Sequence, residues 1–168
     1  MTSWRREAGD WTRYRHLPRS VEVDFHRADR GEGGCYWQQM EAVEDDAYQA
    51  LVAAYEIGLE YVIFTHGHST SRRGRKTSRS MVRGLMRSPA ATPFIRRRES
   101  IEHISCFVAA IRENPGAPVL PDTPPCPTCG SSDARAMTQA GEFRCKECRW
   151  RFTWFSLAGN DPGGWQDG

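Results

Sequence analysis

Two closely spaced cysteine pairs near the C-terminus constrain the fold of this chain more than any other feature. The chain has six cysteines, and four of them form two C-x2-C pairs, Cys126/Cys129 and Cys145/Cys148, separated by fifteen residues. This is the spacing of four-cysteine zinc sites, in which the metal supplies folding energy that a module of about 30 residues lacks. The pattern predicts a zinc ribbon over residues 126–158 with one structural Zn²⁺. A redox dithiol is the weaker alternative.

Composition divides the 168 residues into five predicted segments. These are a basic and aromatic N-terminal arm (1–20), an α/β domain (21–112), a proline-rich linker (113–125), the ribbon (126–158) and a flexible tail (159–168). A chain of this length suffices for one domain of about 100 residues and a small module. The arm lacks clear periodicity. It is either mobile, or packed on the domain through its aromatic residues, or in contact with nucleic acid through its arginines.

Hydrophobic patterning predicts alternating strands and helices in the α/β domain. Strands are expected at 21–26, 61–64 and 94–98, and helices at 41–58 and 77–88. Residues 105–111 fit a buried strand and a helix equally well, and Cys106 within them is expected in the core. The alternation indicates an α/β fold.

The apolar run Tyr61–Phe64 suits a buried strand, and polar residues follow it directly. Gly67 allows a sharp turn or a close approach of the backbone to a ligand. Ligands bind outside the carboxyl ends of strands in open α/β sheets, and sequential strands are neighbours about two-thirds of the time. The polar residues at the ends of the first two strands are therefore expected to meet. This predicted catalytic set is Asp24, His26, His66 and His68.

Charge is distributed unevenly along the chain. The net charge is only +2, but no acidic residue lies between Glu60 and Glu99, where arginine and lysine are frequent. A basic surface on a nearly neutral protein indicates a local polyanionic partner, although a solvated helix face is the alternative. His103 is also a candidate, unless it is simply packed or exposed. The predicted nucleic-acid-binding residues are Gly67, Arg72, Arg73, Arg75, Lys76, Arg79, Arg83, Arg96, Arg97, His103, Arg149 and Trp150.

The element order β-α-β-α-β-β, with Asp-x-His after the first strand and His-Gly after the second, resembles the Smr (small MutS-related) domain over about residues 21–112. The resemblance implies a two-layer, four-stranded mixed sheet with two helices on one face, and a strand at 105–111. Residues 24–27 read Asp-Phe-His-Arg where the family has Asp-Leu-His-Gly, and residues 66–69 read His-Gly-His-Ser where it has His-Gly-Lys-Gly. Members of the family include nucleases that act on DNA or RNA, some of them on messenger RNA at stalled ribosomes.

These features predict an endonuclease that prefers RNA slightly over DNA, with the ribbon as a nucleic-acid or ribosome anchor. RNA cleavage needs a base for the 2′-hydroxyl proton and an acid for the leaving oxygen, and histidine can be either near neutral pH. The alternatives are a non-catalytic nucleic-acid-binding module and a protein–protein adaptor. An Asp-His-His set could instead bind a divalent metal, but the resemblance implies no catalytic metal.

The chain shows no signal peptide and no apolar run of about 18 residues, so neither export nor a membrane span is expected. Paired cysteines at zinc spacing fit a reducing compartment. The sequence therefore predicts a cytoplasmic protein.

Overall fold

The computed structural model describes residues 4–25, 36–67 and 76–159. It is a mixed α/β structure in which one sheet has five strands and a second, small sheet has three. The elements are β1 Arg5–Glu7, β2 Ser20–Asp24, α1 Tyr36–Ile57, β3 Tyr61–Thr65, α2 Ser78–Arg87, β4 Ile101–His103, β5 Cys106–Ala110, β6 Ala134–Ala136, β7 Glu142–Cys145 and β8 Arg151–Thr153. The predicted mixed α/β class is confirmed, with five strands in the main sheet where four were expected.

The main sheet has the strand order β1-β4-β5-β3-β2. Strands β2 and β3 are parallel, β5 is antiparallel to both β3 and β4, and β1 is parallel to β4. Strands β1, β2, β3 and β4 therefore run in one direction, opposite to β5. Their last residues lie along one edge of the sheet, called here the carboxyl edge.

Both helices cover one face of the main sheet, called here the helix face. Alternate strand residues point to it and form one core with the two helices, among them Val21, Val23, Val62, Phe64 and Phe107. Helix α1 contributes buried residues at the spacing that the sequence predicted: Val43, Ala47, Ala50, Leu51, Ala54 and Ile57. Burial of this apolar stripe, rather than helix propensity, holds α1 on the sheet.

The N-terminal segment packs on the sheet, as one of the three alternatives for it proposed. Strand β1 extends the sheet at its edge, and the ring of Trp4 meets Phe107 edge-on with centroids 5.2 Å apart. A 3-10 helix, Thr12–His16, covers the opposite face, where Tyr14 is buried in a cluster with Ile63 and its neighbours. Residues before the predicted domain thus supply both a strand and the cover of the second face.

The predicted strand at 94–98 is wrong. Only Ile95 makes a β-bridge, with Ile111, and a 3-10 turn follows at Arg97–Glu99. The Arg97 guanidinium donates to the carbonyls of Met86 and Ser88, which draws the chain toward the end of α2 and away from a ladder. The strand forms instead at Ile101–His103, after this turn.

The helices agree with the predicted positions except at one end. Helix α1 begins five residues before the predicted start, and Met40 in the added turn is buried. Helix α2 begins after Thr77, whose hydroxyl accepts from the Ser80 amide in a capping box, and it ends at Ser88. Within the described ranges, neither helix is long and apolar enough to cross a membrane.

The C-terminal three-stranded sheet packs against α1 and β2. Phe143 and Phe152 of this sheet, and Trp154 directly after it, belong to the same buried core as the helix face. The backbone amide of Glu22 in β2 donates to the carbonyl of Ala140 at 2.9 Å, so the ribbon also covers the outer edge of β2. The predicted domain boundaries stay a prediction, but the residues on the two sides share one core.

Gly141 allows this close contact, and replacing it tests the contact. Its φ is +70°, and an added Cβ would lie 2.5 Å from the Ser20 carbonyl oxygen and 2.9 Å from Val21 Cα. Gly159 has the same conformation, φ +71°, in open space. We expect Gly159→Ala to cost about 1 kcal/mol from backbone strain and Gly141→Ala to cost about 3 kcal/mol, because overpacking adds to the strain.

Urea unfolding of both variants measures this difference. Equal free energies of unfolding for the two variants would contradict the docking of the ribbon on β2.

Candidate nucleic-acid site at the carboxyl edge

The structure describes only part of the predicted site. His26 and His68 of the predicted catalytic set lie outside the described residues, and so does Cys35. The same holds for three predicted nucleic-acid-binding residues, Arg72, Arg73 and Arg75. Asp24, His66 and Gly67 are described, together with Lys76 and the arginines of α2.

His66 follows β3 at the carboxyl edge and is 1 % exposed. The backbone amides of His66 and Gly67 both donate to the Ser105 carbonyl at 3.1 Å, which anchors this turn to the start of β5. The His66 ring nitrogen Nδ1 lies 3.1 Å from the Gly67 carbonyl oxygen, so Nδ1 carries the proton that it donates. In a neutral ring Nε2 then has a lone pair, and this buried atom has no hydrogen-bond partner among the described residues.

Burial lowers the pKa of His66, the hydrogen bond to the Gly67 carbonyl opposes this, and the positive charges of Arg83 and Arg79 on α2 add to the lowering, so that the pKa is about 4. The imidazole is therefore neutral at pH 7. A neutral histidine can accept a proton or a hydrogen bond at Nε2 but cannot serve as a cation for phosphate.

The lowered pKa of His66 predicts acid sensitivity. The unfolded chain takes up a proton near pH 6.5 and the folded chain only near pH 4. The folded state therefore loses about 3 kcal/mol relative to the unfolded state as pH falls through this window. His66→Asn keeps a donor for the Gly67 carbonyl but does not titrate, so we expect it to lose about that much less stability between pH 7 and pH 4.

Urea unfolding of the wild type and of His66→Asn at each pH measures the difference. Acid effects on the cysteines are common to both proteins and cancel. The exposed His16 provides a control as His16→Asn, and parallel curves for wild type and His66→Asn would refute the expectation.

Asp24 lies on the other face of the sheet from His66. Its register partner in the parallel pair is Thr65, and His66 is the next residue, so alternation sends the two side chains to opposite faces. On its own face, the charge of Asp24 contributes to raising the pKa of Arg15, after the larger effect of the hydrogen bonds between Arg15 and Glu22. The structure thus brings Asp24 and His66 to the same edge but does not bring their side chains together.

A buried ion pair next to Asp24 was not anticipated from the sequence. The Glu22 carboxylate accepts from Arg15 Nε at 2.7 Å and Nη2 at 3.0 Å, and from the Thr65 hydroxyl at 2.9 Å. These bonds satisfy the carboxylate within the fold. They tie the N-terminal segment to β2 and β3 beneath the carboxyl edge.

The α2 arginines face β4 and the edge strand β1. Arg83 donates to the His103 carbonyl at 3.2 Å and lies 3.4 Å from the Glu102 carboxylate. Arg87 and Arg6 lie 3.6 and 3.8 Å from the same carboxylate. The grouping of Arg6 and Arg87 around Glu102 was not predicted from the sequence, because it depends on the pairing of β1 with β4, about 95 residues apart in the chain, and on the packing of α2 beside them.

Other predicted phosphate ligands have different surroundings. Arg97 caps the end of α2, as described above, and Arg96 forms an ion pair with Glu99 at 2.7 Å. His103 is buried, with Nε2 donating to the Gly9 carbonyl at 2.7 Å and Nδ1 accepting from the Ser105 amide at 3.1 Å. Both ring nitrogens of His103 are engaged in hydrogen bonds within the fold. This supports the alternative that His103 is a packed residue and not a phosphate ligand. Lys76 is exposed just before α2.

Four cysteines form the one group in residues 4–25, 36–67 and 76–159 that could hold a metal ion. All four sulfur atoms lie within 4.8 Å of one another, with Cys126 to Cys148 at 3.6 Å and Cys129 to Cys145 at 3.5 Å. A tetrahedron of sulfurs about 2.3 Å from a central zinc has edges of about 3.8 Å. The donor set and its spacing therefore fit a tetrahedral metal.

Local backbone geometry forms the two cysteine turns. Gly130, at φ +75°, follows the first pair and donates from its amide to the Cys126 carbonyl at 2.9 Å. Arg149 takes the equivalent place after the second pair, at φ +67°. Burial opposes ionisation of Cys126, but the backbone amides of Cys129 and Thr128 donate to its sulfur and lower its pKa to about 7. At Cys148 the backbone amide of Trp150 also lowers the pKa, but burial and hydrogen bonds with the other three cysteines outweigh it and raise the pKa to about 12. The thiolate that metal binding requires is therefore favoured at Cys126 and opposed at Cys148.

The second cysteine turn presents an aromatic ring and positive charge to solvent. Trp150 is 54 % exposed, and Arg149 beside it is exposed too. The other ribbon aromatics, Phe143, Phe152, Trp154 and Phe155, are buried. The aromatic residues of the ribbon thus divide into four that fill the core and one that is exposed.

Comparison with known proteins gives no match: no protein-family model matches the chain, no characterised protein matches it in sequence, and no solved structure matches its fold. The geometry of the chain's own residues therefore carries the functional argument.

Proposed function

We propose that the protein is a nucleic-acid endonuclease of the Smr type that cuts RNA in preference to DNA at the carboxyl edge. One observation carries the proposal: a neutral imidazole, that of His66, lies with an unpaired Nε2 beside the positive charges of Arg79 and Arg83. A neutral imidazole can remove a proton, and a guanidinium can offset the charge that develops on a phosphate.

Two features of the fold support the proposal of an Smr type. The described residues contain a parallel pair, β2 and β3, joined through α1, and both helices lie on one face. The family resemblance implied this β-α-β order and two helices on one face of a mixed sheet. The edge strand β1 and the N-terminal cover are additions to them.

The chemistry favours RNA because RNA supplies its own nucleophile. His66 Nε2 takes the proton of the 2′-hydroxyl, whose oxygen attacks the adjacent phosphate, and Arg79 and Arg83 offset the charge on the phosphate. DNA lacks that hydroxyl. His26 and His68 stay as predicted partners for protonating the leaving oxygen.

A second candidate, a non-catalytic nucleic-acid-binding module, has its own support. His66 is 1 % exposed, so a substrate atom reaches Nε2 only if neighbouring groups move. Asp24 lies on the opposite face and cannot orient His66 directly. In this alternative the arginines hold the nucleic acid and His66 is a packed residue.

The ribbon has two proposed roles. Its four cysteines hold one structural zinc ion, which contributes to folding and has no open position for a substrate. Trp150 and Arg149 form the anchor for nucleic acid, including ribosomal RNA, because a base can stack on the exposed indole beside a guanidinium.

Cleavage of matched oligonucleotides tests the proposal and separates it from the second candidate. Purified protein is incubated with end-labelled RNA and with DNA of the same sequence, with and without Mg²⁺. We expect RNA to be cut without Mg²⁺, to leave cyclic phosphate ends, and to resist cutting where one ribose is replaced by deoxyribose. Tight binding without cleavage would favour the binding module, and absence of both would reject the nucleic-acid proposal.

A further inference from the structure

Three arginines surround one buried carboxylate on the helix face. Glu102 has a side chain that is 8 % exposed, whereas those of Arg83, Arg87 and Arg6 are 15 %, 52 % and 79 % exposed. The group carries a surplus of two positive charges. Arg79, one turn before Arg83 on α2, has no carboxylate partner among the described residues and adds a third. Such a surplus on a nearly neutral protein attracts a polyanion.

The donors of these arginines are largely unused. The nitrogen-to-oxygen separations to Glu102 are 3.4 to 3.8 Å, longer than a hydrogen bond. The carboxylate accepts instead from Trp4 Nε1 at 2.6 Å, and the guanidinium of Arg87 lies over the Trp4 ring, 5.4 Å from its centroid. Glu102 and Trp4 are thus positioning residues that orient the guanidinium groups while leaving their N–H donors for another acceptor.

The arginines of α2 form a row. Arg79, Arg83 and Arg87 are four residues apart, so they share one side of the helix with a rise of about 6 Å per step and about 12 Å in total. The row begins near the carboxyl edge, where the Ser78 hydroxyl lies 3.4 Å from the Phe25 carbonyl oxygen. It then passes toward β4, where Arg83 donates to the carbonyl of His103, the last residue of that strand. The step is comparable to the separation of neighbouring phosphates along one nucleic acid strand.

We propose that Arg79, Arg83, Arg87 and Arg6 form a phosphate track, which binds the strand that flanks the carboxyl-edge site. The track rests on the proposed function, because it gives that site a substrate class: a strand several nucleotides longer than the reacting dinucleotide. Phosphates bind through charge and N–H donors and carry no base identity, so affinity for the track depends on the length of the strand and not on its sequence.

The alternative is an ion-pair network that only stabilises the fold. The two roles predict different effects when the exposed arginines are removed: loss of RNA affinity for a phosphate track, and loss of folding stability for an ion-pair network. Arg6 and Arg87 are mostly exposed, and exposed ion pairs contribute little to folding. Their removal is therefore expected to change affinity with little change in stability.

Binding of two RNA lengths tests the track. Affinity for a 12-nucleotide single-stranded RNA and a trinucleotide is measured by fluorescence anisotropy, directly and by competition, for wild type, Arg6→Ala, Arg87→Ala and Arg112→Ala. Arg112 is an exposed arginine that follows β5 at the opposite edge and donates to the Thr92 carbonyl. We expect each track variant to bind the 12-mer about 3- to 10-fold more weakly and to lower the slope of log affinity against log salt by about 1.

Trinucleotide affinity and the Arg112→Ala variant are expected to be unchanged. If Arg6→Ala and Arg87→Ala unfold at the wild-type urea concentration yet bind the 12-mer like the wild type, the track is refuted while the proposed function stands. If the wild type itself neither binds nor cuts either RNA, both the proposed function and the phosphate track are refuted.

Discussion

Cys145→Ser is expected to abolish metal binding and to destabilise the whole chain, not the ribbon alone. Structural zinc contributes on the order of 10 kcal/mol or more in small modules, as much as the entire stability of a typical domain. Cys145 is fully buried in the core that also holds β2 and α1. Loss of the metal therefore frees the ribbon aromatics from that core and removes the Ala140 carbonyl from the Glu22 amide.

Elemental analysis and hydrogen exchange measure this result. We expect about one zinc per wild-type chain and none in Cys145→Ser, with faster amide exchange in both β2 and α1. Cys106→Ala serves as the control, because Cys106 is buried in the main sheet outside the four-cysteine group and its loss should leave the metal in place. Unchanged exchange of β2 and α1 in the metal-free variant would mean that the ribbon folds independently.

The coupling of ribbon and sheet also governs how cleavage is tested. A strong chelator removes a structural metal as well as any catalytic one, so loss of cleavage in its presence is ambiguous. The requirement for a divalent ion is better measured by omitting Mg²⁺ and Mn²⁺ without adding a chelator, so that any metal on the four cysteines stays in place.

The central part of the fold could be predicted because its signals are local. Periodic apolar residues define α1 and α2, Thr77 caps α2, and the run at Tyr61–Phe64 forms β3. The prediction of a strand at 94–98 was wrong because local apolar content does not indicate that Arg97 donates to the carbonyls at the end of α2. The role of the N-terminal segment could not be chosen from three alternatives, because β1 pairs with a strand almost one hundred residues away.

The convergence of the four cysteines was predictable for the same reason, since each C-x2-C pair forms a local turn at the spacing of a metal site. For Asp24 and His66, the sequence predicted the position at the carboxyl edge but not the face of the sheet on which each side chain lies. Asp24 and His66 do end adjacent parallel strands, but the register that places them on opposite faces follows from pairing, which no local pattern encodes. The burial of His66 and its lowered pKa likewise depend on α2 packing over the edge.

His66→Asn is expected to lower RNA cleavage by a factor of about 10² to 10⁴ while leaving RNA affinity nearly unchanged. The asparagine retains a donor for the Gly67 carbonyl but has no nitrogen lone pair in place of Nε2, so the proposed base is lost while the turn is kept. Binding persists because the α2 arginines are untouched. Single-turnover cleavage and anisotropy on the same labelled RNA separate the two quantities, with the exposed His16→Asn as the matched control.

The pH dependence of cleavage distinguishes a catalytic base at His66 from a residue that only packs there. If neutral His66 is the base, its pKa of about 4 places the acid limb of kcat/KM near pH 4, well below the 6.5 of an ordinary histidine. Cleavage should then persist from pH 7 down to about pH 5, provided that the protein stays folded, which urea unfolding at each pH establishes. A limb near pH 6.5 would assign the base to another histidine, of which His26 and His68 are the predicted candidates. Equal cleavage by the wild type and His66→Asn would remove His66 from the chemistry altogether.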